Sequence, residues 1–307
     1  MKPLSVIFIG TGSYGVPSLE ALLASPNFKI PFVITGQDKP AGRKLKMSFS
    51  PVKEAALKNN LIVQQPSKLE EMKQNIIQAA PDFLLVAAYG EIIKKDILEI
   101  PKFGAINIHG SLLPKYRGAS PIQEALLQGV KEIGTTWIIM NEKMDQGTII
   151  EQQRVTIGDE DNFETLYRKL AIEAGKMTPA VLMKYAQKNI SRPQDETSAT
   201  YCTKISAKDG LIDVHTETAS FIVRKIKAYT PWPGCLLYWN GKRLKILKAY
   251  AGEQKMYPGE VAIISRKSLM IGTKEGVLIP QIVQPESKPS MDITAFLQGQ
   301  KTLPTKI

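Results

Sequence analysis

The sequence predicts an α/β protein with an open, mostly parallel sheet and a second, smaller β-rich domain. Over the first part of the chain, short apolar runs alternate with helical patterns, which is typical of strands joined by helices. One run, PDFLLVAA at residues 81–88, is apolar enough to be buried on both faces, as central parallel strands are. Towards the C-terminus the pattern changes to short strands separated by turns, which indicates a small barrel or sandwich.

The first part of the chain contains both strand and helix patterns. The predicted strands cover residues 4–9, 30–34, 81–88, 105–108 and 135–140. The predicted helices cover residues 17–23, 52–58, 121–128 and 162–186. Because strands and helices alternate, we expect helices over the sheet faces and one domain over residues 1–188.

A polar stretch separates this domain from the next. QKNISRPQDETSATYCTKI, residues 187–205, has no apolar period and contains a proline, so we interpret residues 189–206 as a linker. We assign residues 207–307 to the second domain, in which Asn240 and Gly241 supply the positive φ of a tight hairpin turn. The predicted elements are a helix at 216–228 and strands at 235–239, 244–250, 260–264, 269–271 and 276–281.

Basic residues are concentrated in the last third of the chain. The formal net charge is +11, and residues 201–307 hold 16 Lys+Arg against 8 Asp+Glu. A basic surface attracts phosphate backbones with salt-dependent affinity, although solubility explains a basic charge equally well. Charge alone therefore leaves the partner open.

The composition also bears on location. No apolar run approaches the ~20 residues that span a bilayer, and the N-terminus lacks the pattern of a signal peptide. Cys202 and Cys235 fit no C-x-x-C pattern and suggest a reducing compartment. We expect a cytoplasmic protein without membrane contact, and we expect a monomer.

The stretch GTGSYG places Gly10, Gly12 and Gly15 in the spacing G-x-G-x-x-G, which suggests a Rossmann-like dinucleotide site. Such a site needs an acid about 20 residues further on, at the end of the second strand, to bind the ribose hydroxyls. The first acid here is Asp38, which lies inside a loop rich in lysine. We therefore interpret the glycines as a tight strand-to-helix turn with close packing, and we expect no NAD.

Residues with catalytic chemistry cluster in GAINIHGSLLPKYRGASPIQ, residues 104–123. In INIH, the alternation of a strand puts Asn107 and His109 on the same face. A histidine acts as general acid or base near neutral pH, and an asparagine amide stabilises an oxyanion. Ser111 follows, but no G-x-S-x-G elbow surrounds it.

A histidine in this role usually needs a carboxylate. In NEKMDQGTII, Asp145 sits in a turn, but Asn141 and Glu142 share the loop and leave the choice open, and an Asx turn also explains Asp145. His215 lies in a polar stretch and is expected at the surface. No Cys, His and acid cluster has metal-ligand spacing, so we expect no metal.

The segment NIHGSLLPKYRGASPI resembles the signature of the 10-formyltetrahydrofolate-dependent formyltransferases, in which Asn-x-His precedes S-L-L-P. The branch of that family that formylates methionyl-tRNA is similar in three further segments: QDKPAGRKLKMSFSPVKEAA, YCTKISAKDGLID and IVRKIKAYTPWPGCLLYWNGKRLKI. The resemblance covers nearly the whole chain. It implies transfer of a formyl group from 10-formyltetrahydrofolate, a cosubstrate, to the α-amino group of methionyl initiator tRNA, for translation initiation.

The resemblance also implies residue roles. The catalytic residues would be Asn107, His109 and Asp145. The folate loop would comprise Ser111, Leu112, Leu113 and Pro114. The tRNA-binding loop, residues 37–46, would act through Lys39, Arg43, Lys44 and Lys46, and residues 207–307 would form an OB-like barrel that contacts tRNA. Four positions depart from the usual pattern without touching the catalytic ones: Lys115, Tyr116, Gln146 and Val214.

Two other functions stay open at this point. A folate-dependent formyltransferase acting on an aminosugar or a purine precursor would share the chemistry. An enzyme for a purine precursor would have little use for a basic second domain, and an enzyme for an aminosugar would not require the cationic loop. A non-catalytic RNA-binding protein would use that domain, but would not need all three catalytic residue types.

Overall fold

The computed structural model describes residues 2–41, 46–264 and 266–307. Contacts divide the chain into two compact units. The first comprises Met1–Pro121, Glu132–Ile157 and Tyr167–Cys202, and the second comprises Ile122–Lys131, Gly158–Leu166 and Thr203–Ile307. Each unit is therefore assembled from stretches that are not contiguous in the sequence.

Up to residue 202, helices separate groups of one to four strands. The strands are β1 Leu4–Gly10, β2 Phe28–Lys29, β3 Val33–Ile34, β4 Lys39–Ala41, β5 Lys46–Ser48, β6 Val63–Gln64, β7 Phe83–Ala87, β8 Ala105–His109, β9 Arg117–Gly118, β10 Glu132–Ile139, β11 Ile149–Thr156 and β12 Tyr201–Cys202. The helices are α1 Val16–Leu23, α2 Pro51–Lys58, α3 Lys73–Ala79, α4 Lys95–Leu98, α5 Pro121–Gln128 and α6 Phe163–Lys188.

The main sheet of the first unit has the order β11-β10-β8-β7-β1-β3-β6, with β2 paired to β1. The neighbouring strands from β8 to β6 are parallel to one another. β10 runs antiparallel to β8, and β11 runs antiparallel to β10. The chain starts in the middle at β1, winds out to β6 and then returns to build the other half from β7. This doubly wound order confirms the predicted Rossmann-like sheet, in which ligands bind where the winding reverses.

Close packing explains the glycines of GTGSYG. A Cβ on Gly10 would lie 2.5 Å from the carbonyl oxygen of Ala87, and one on Gly15 would lie 2.8 Å from Cζ of Phe8. These separations are shorter than atoms tolerate, so any side chain would force the first turn away from β7. The Asp38 carboxylate is engaged within the protein, since Lys53 Nζ lies 2.6 Å from one of its oxygens.

The predicted strand at 30–34 is wrong in its first half. Pro31 has no backbone N–H to donate, and within residues 30–34 only Val33–Ile34 pairs with β1. The sequence did not predict β11, whose mixed polar residues form the edge of the sheet beyond β10. An edge strand has one unpaired side and needs no continuous apolar run.

The segment predicted as a linker is structured up to Cys202. Tyr201–Cys202 pairs in parallel with Arg117–Gly118, and Arg192 forms a β-bridge with Ile149. This part of the chain therefore packs within the first unit.

The second unit contains an antiparallel sheet with the order β13-β14-β17-β16-β15, and β18 pairs with β17. Asn240 and Gly241, at φ 49° and 73°, make the predicted turn between the first two strands. Among the described residues the two end strands of this sheet do not pair, so the predicted OB-like barrel is not confirmed. Its elements are β13 Cys235–Trp239, β14 Lys242–Gly252, β15 Val261–Ile264, β16 Ser268–Gly272, β17 Val277–Pro285, β18 Met291–Asp292, α7 Ala219–Tyr229 and α8 Ile293–Gln298. Over the described ranges, no helix is both long enough and apolar enough to cross a membrane.

Candidate active site

Strand β8 carries two polar side chains on one face. Asn107 and His109 alternate with Ile106 and Ile108, which are buried. The strand lies between β7 and β10 in the middle of the sheet, and His109 is only 6% exposed. The surrounding sheet therefore restricts the movement of both polar groups.

The loop after β10 brings a carboxylate to the same place. Oδ1 of Asp145 lies 3.5 Å from Nδ1 of His109 and accepts from the amide of Asn107 at 3.4 Å. Oδ2 accepts from the backbone N–H of Gly118 at 2.8 Å. Asp145 has φ 54°, in the left-handed region, which aspartate adopts in turns more readily than most residues with a side chain. The structure thus brings together the three residues that the sequence singled out.

The other polar residues of this loop point elsewhere. The side chain of Asn141 accepts from the backbone N–H of Lys143 at 3.0 Å, and Glu142 is exposed. Of the candidates in the loop, Asp145 is the one in contact with the histidine.

Both ring nitrogens of His109 face oxygen. Nε2 lies 3.0 Å from the carbonyl oxygen of Tyr116, which can only accept, so this contact requires a proton on Nε2. Nδ1 faces the Asp145 carboxylate. The ring is therefore oriented from both sides in this state.

The loop after β8 is held by its own hydrogen bonds. Ser111 is fully buried and donates to the carbonyl of Lys115 at 2.6 Å, and Leu113 packs in a core cluster with Ile138 and Ile149. The backbone N–H of Leu113 donates to Thr136, whose hydroxyl donates to the carbonyl of Ser111. Leu112 and Pro114 are half-buried. Of the four predicted folate residues, two thus turn their side chains into the protein.

A buried arginine supports this site, and the sequence did not predict it. Arg117 is fully buried, and its guanidinium donates to Gln194, Glu196 and Tyr201. Gln194 in turn donates to the carbonyl of Asp145 at 2.7 Å. The only sequence signal for Arg117 was its position three residues after the SLLP loop, and arginine is usually exposed. The hydrogen bond from Arg117 to Glu196 raises the pKa of Arg117 and lowers the pKa of Glu196.

The predicted tRNA loop is described in part. Lys39 is exposed in β4, and Lys46 is the first residue of β5. The two strands pair in antiparallel orientation. Arg43 and Lys44 lie outside the described residues. Within the described ranges, no three His, Cys, Asp or Glu side chains are grouped to hold a metal ion, and the expectation of no metal stays a prediction.

The family described as "Formyl transferase" matches residues 4–182, and "Formyl transferase, C-terminal domain" matches residues 204–301. The chain belongs to the formyltransferase family. This confirms the resemblance that the NIHGSLLP segment indicated. The first match contains Asn107, His109 and Asp145 within one stretch.

Similar proteins have both parts of this formyltransferase. A methionyl-tRNA formyltransferase of Thermodesulfovibrio yellowstonii is 39% identical over 301 residues, 96% of each chain. Another, from Hydrogenobaculum, is 42% identical over 273 residues, 88% of each chain. The crystal structure of WlaRD, a sugar 3N-formyltransferase in the presence of dTDP and 5-N-formyl-THF, covers 94% of this chain and 100% of its own, with TM-score 0.65 and 20% identity. That last likeness is one of fold.

Proposed function

We propose that this formyltransferase transfers a formyl group from 10-formyltetrahydrofolate to the α-amino group of methionyl initiator tRNA, making formylmethionyl-tRNA for translation initiation. The observation that carries the proposal is the convergence of Asn107, His109 and Asp145, in which one carboxylate oxygen lies 3.5 Å from the histidine ring and 3.4 Å from the asparagine amide. The names of relatives that are similar over nearly the whole chain support methionyl-tRNA as the acceptor.

The chemistry follows from the side chains. The neutral amine of the aminoacyl group attacks the formyl carbon, a carbon–nitrogen bond to the amine forms, and the bond to the folate nitrogen breaks. Negative charge develops on the formyl oxygen, and the Asn107 amide is a donor that can stabilise it. His109 is the second donor. Since Nε2 donates to the Tyr116 carbonyl here, the formyl oxygen replaces that acceptor when the substrates bind.

Asp145 orients His109 and accepts the proton that the attacking amine loses. The attacking nitrogen loses a proton as the new bond forms, and the departing folate nitrogen gains one. Asp145 holds the ring through Nδ1 and, through a water molecule, relays the proton from the amine. Positioning of two substrates in a site that excludes bulk water supplies much of the remaining rate enhancement.

The folate is a substrate that the reaction consumes. The half-buried Leu112 and Pro114 offer apolar surface beside the catalytic strand, and the buried Ser111 and Leu113 keep the loop in shape. The apolar part of the folate therefore packs on a loop whose conformation is already fixed before the folate binds. The mechanism uses no metal and no NAD.

The tRNA is bound by positive charge. The tRNA-binding loop enters the major groove of the acceptor stem. It contributes the positive charges of Lys39, Arg43, Lys44 and Lys46. Residues 207–307 form the tRNA-binding domain, with an OB-like architecture, after the catalytic domain at 1–188 and the linker at 189–206. The enzyme acts as a monomer in the cytoplasm.

The test is direct. The purified enzyme is incubated with 10-formyltetrahydrofolate and methionyl initiator tRNA, and formylmethionine is measured after the ester bond is hydrolysed. Parallel reactions offer an amino sugar nucleotide and glycinamide ribonucleotide as acceptors. Formylmethionine as the main product supports the proposal, whereas preferential formylation of either small acceptor, or no transfer, overturns it.

A further inference from the structure

We propose that Gln194 is a positioning residue for Asp145 and that the buried Arg117 holds Gln194 in place. The inference rests on the proposed function, because it takes Asp145 as a catalytic group. It assigns a role in the reaction to a side chain of the segment that follows α6, far along the sequence from the catalytic strand.

Gln194 holds the backbone on both sides of the catalytic turn. Its Nε2 donates to the carbonyl of Asp145 at 2.7 Å and to the carbonyl of Gly147 at 2.7 Å. Both hydrogens of the amide are thereby used on one turn. The left-handed conformation of Asp145 is less favourable than extended or right-handed backbone, even for aspartate, which tolerates it better than most residues. Hydrogen bonds from neighbours help to keep the turn in this conformation. Gln194 is one of those neighbours.

Arg117 fixes the orientation of the Gln194 amide. Nε and Nη2 of Arg117 donate to Gln194 Oε1 at 3.0 and 2.8 Å. Since Oε1 receives two N–H groups of a cation, the amide cannot flip without facing Nε2 towards a positive charge. The donor end is therefore directed at the turn.

All five N–H groups of the guanidinium have acceptors. Besides the two to Gln194, Glu196 accepts at 2.8 and 2.7 Å, and Tyr201 accepts at 3.0 Å. A buried arginine with every donor matched is a rigid support, because any movement leaves a buried donor unpaired. Pairing of Tyr201–Cys202 with Arg117–Gly118 adds a backbone connection.

β9, the strand that contains Arg117, also contacts the Asp145 carboxylate directly. Gly118, next to Arg117, donates its N–H to Oδ2 of Asp145 at 2.8 Å. Arg117 therefore acts on Asp145 by two routes, through Gln194 to its backbone and through Gly118 to its side chain. Oδ1 is left to His109 and Asn107.

The test uses two variants of Gln194 and a matched control. Gln194→Met removes both the acceptor and the donors at similar size. Gln194→Glu keeps an acceptor for Arg117 but loses the donors to the turn, and it serves where the methionine variant folds poorly. Gln153→Met is the control, because Gln153 also donates to a backbone carbonyl, that of Arg154, but in a hydrogen bond exposed to solvent. Circular dichroism and thermal unfolding check that each variant is folded.

The kinetic readout separates positioning from folding. A misplacement of about 1 Å costs on the order of 10²-fold in rate, so both Gln194 variants should lose roughly that in kcat, with KM for both substrates within about twofold. In an Asp145→Asn background, Gln194→Met should cost less than about threefold, because residues that act as a unit are not additive. Full loss in both backgrounds, or no loss in the wild-type background, overturns the inference.

A readout without turnover keeps this inference distinct from the proposed function. The ¹⁵N chemical shift of His109 Nδ1 reports on the carboxylate that faces it. It should move in Gln194→Met in the same direction as in Asp145→Asn, and stay unchanged in Gln153→Met. An unmoved shift refutes positioning by Gln194, whereas a wild-type enzyme that forms no formylmethionine refutes the proposed function alone.

Discussion

The carboxylate of Asp145 and the ring of His109 face each other, with Oδ1 3.5 Å from Nδ1, although one lies in a loop and the other on a central strand. The same oxygen also accepts from Asn107. One oxygen atom thus couples the orientation of an imidazole to that of an amide, and loss of the charge should affect both.

Asp145→Asn and, separately, His109→Ala should each lower kcat for formyl transfer by about 10²- to 10⁴-fold, the range of general acid–base catalysis. The asparagine variant still offers an oxygen to the N–H of Gly118, so it should fold. Single-turnover formylation of methionyl-tRNA measures the loss. His215→Ala is the matched control, because His215 is exposed and should leave the rate unchanged. Near wild-type turnover in either active-site variant would remove that residue from the mechanism.

Arg43→Ala should weaken tRNA discrimination rather than chemistry. We expect the ratio of kcat/KM for initiator over elongator methionyl-tRNA to fall, and the salt dependence of tRNA binding to become shallower by about one phosphate contact. Filter binding at several salt concentrations measures the slope. Lys176→Ala, at a surface lysine paired with Glu173, is the control. An unchanged ratio for Arg43→Ala would contradict a role of the loop in tRNA selection.

Gly15→Ala should destabilise the first unit by roughly 1–3 kcal/mol, because the added methyl group overpacks against Phe8 and Ala87. The measurement is the free energy of unfolding in urea. Gly299→Ala is the control, since Gly299 has φ −78° and room for a Cβ, and its effect should stay within about 0.5 kcal/mol. Equal stability of the two variants would show that packing does not require the glycine.

Cys235 should resist alkylation in the folded enzyme. Burial raises the pKa of its thiol to about 12 from an ordinary value of 9.0. The stability that this thiol contributes is complete below the ordinary pKa and is lost as the pH rises through about 12, because the unfolded chain releases the proton first. At pH 8 the thiolate fraction should therefore be about 10³-fold lower than in the unfolded chain.

Iodoacetamide labelling followed by mass spectrometry checks this expectation. The same enzyme in urea provides the reference rate for Cys235. Labelling of the folded enzyme at a comparable rate would show that the thiol is accessible.

Much of the fold could be predicted because its signals are local. The alternation of INIH placed Asn107 and His109 on one face, and α5 begins and ends where the pattern predicts. The apolar run at residues 81–88 predicted a central strand, and β7 lies within it. Short or mixed elements such as β6 and β11 could not be predicted, because pairing with neighbouring strands stabilises them rather than their own pattern.

The support of the site could not be predicted for a related reason. Arg117, Gln194 and Glu196 are polar residues in loop-like sequence, and nothing in their spacing indicates burial. The hydrogen bonds from Arg117 to Gln194 and Glu196 join residues that are more than 70 positions apart. Only the folded chain brings them within reach.

By itself the sequence determined the class of the fold, the pairing of Asn107 and His109 on one face of β8, and the family, because strand periodicity and a contiguous motif are properties of neighbouring residues. Tertiary structure decided that Asp145, rather than Glu142, meets the histidine, that a supposed linker holds that turn, and that the second sheet stays open among the described residues. These features depend on contacts between distant segments, whose geometry is set by packing and strand pairing and not by local pattern.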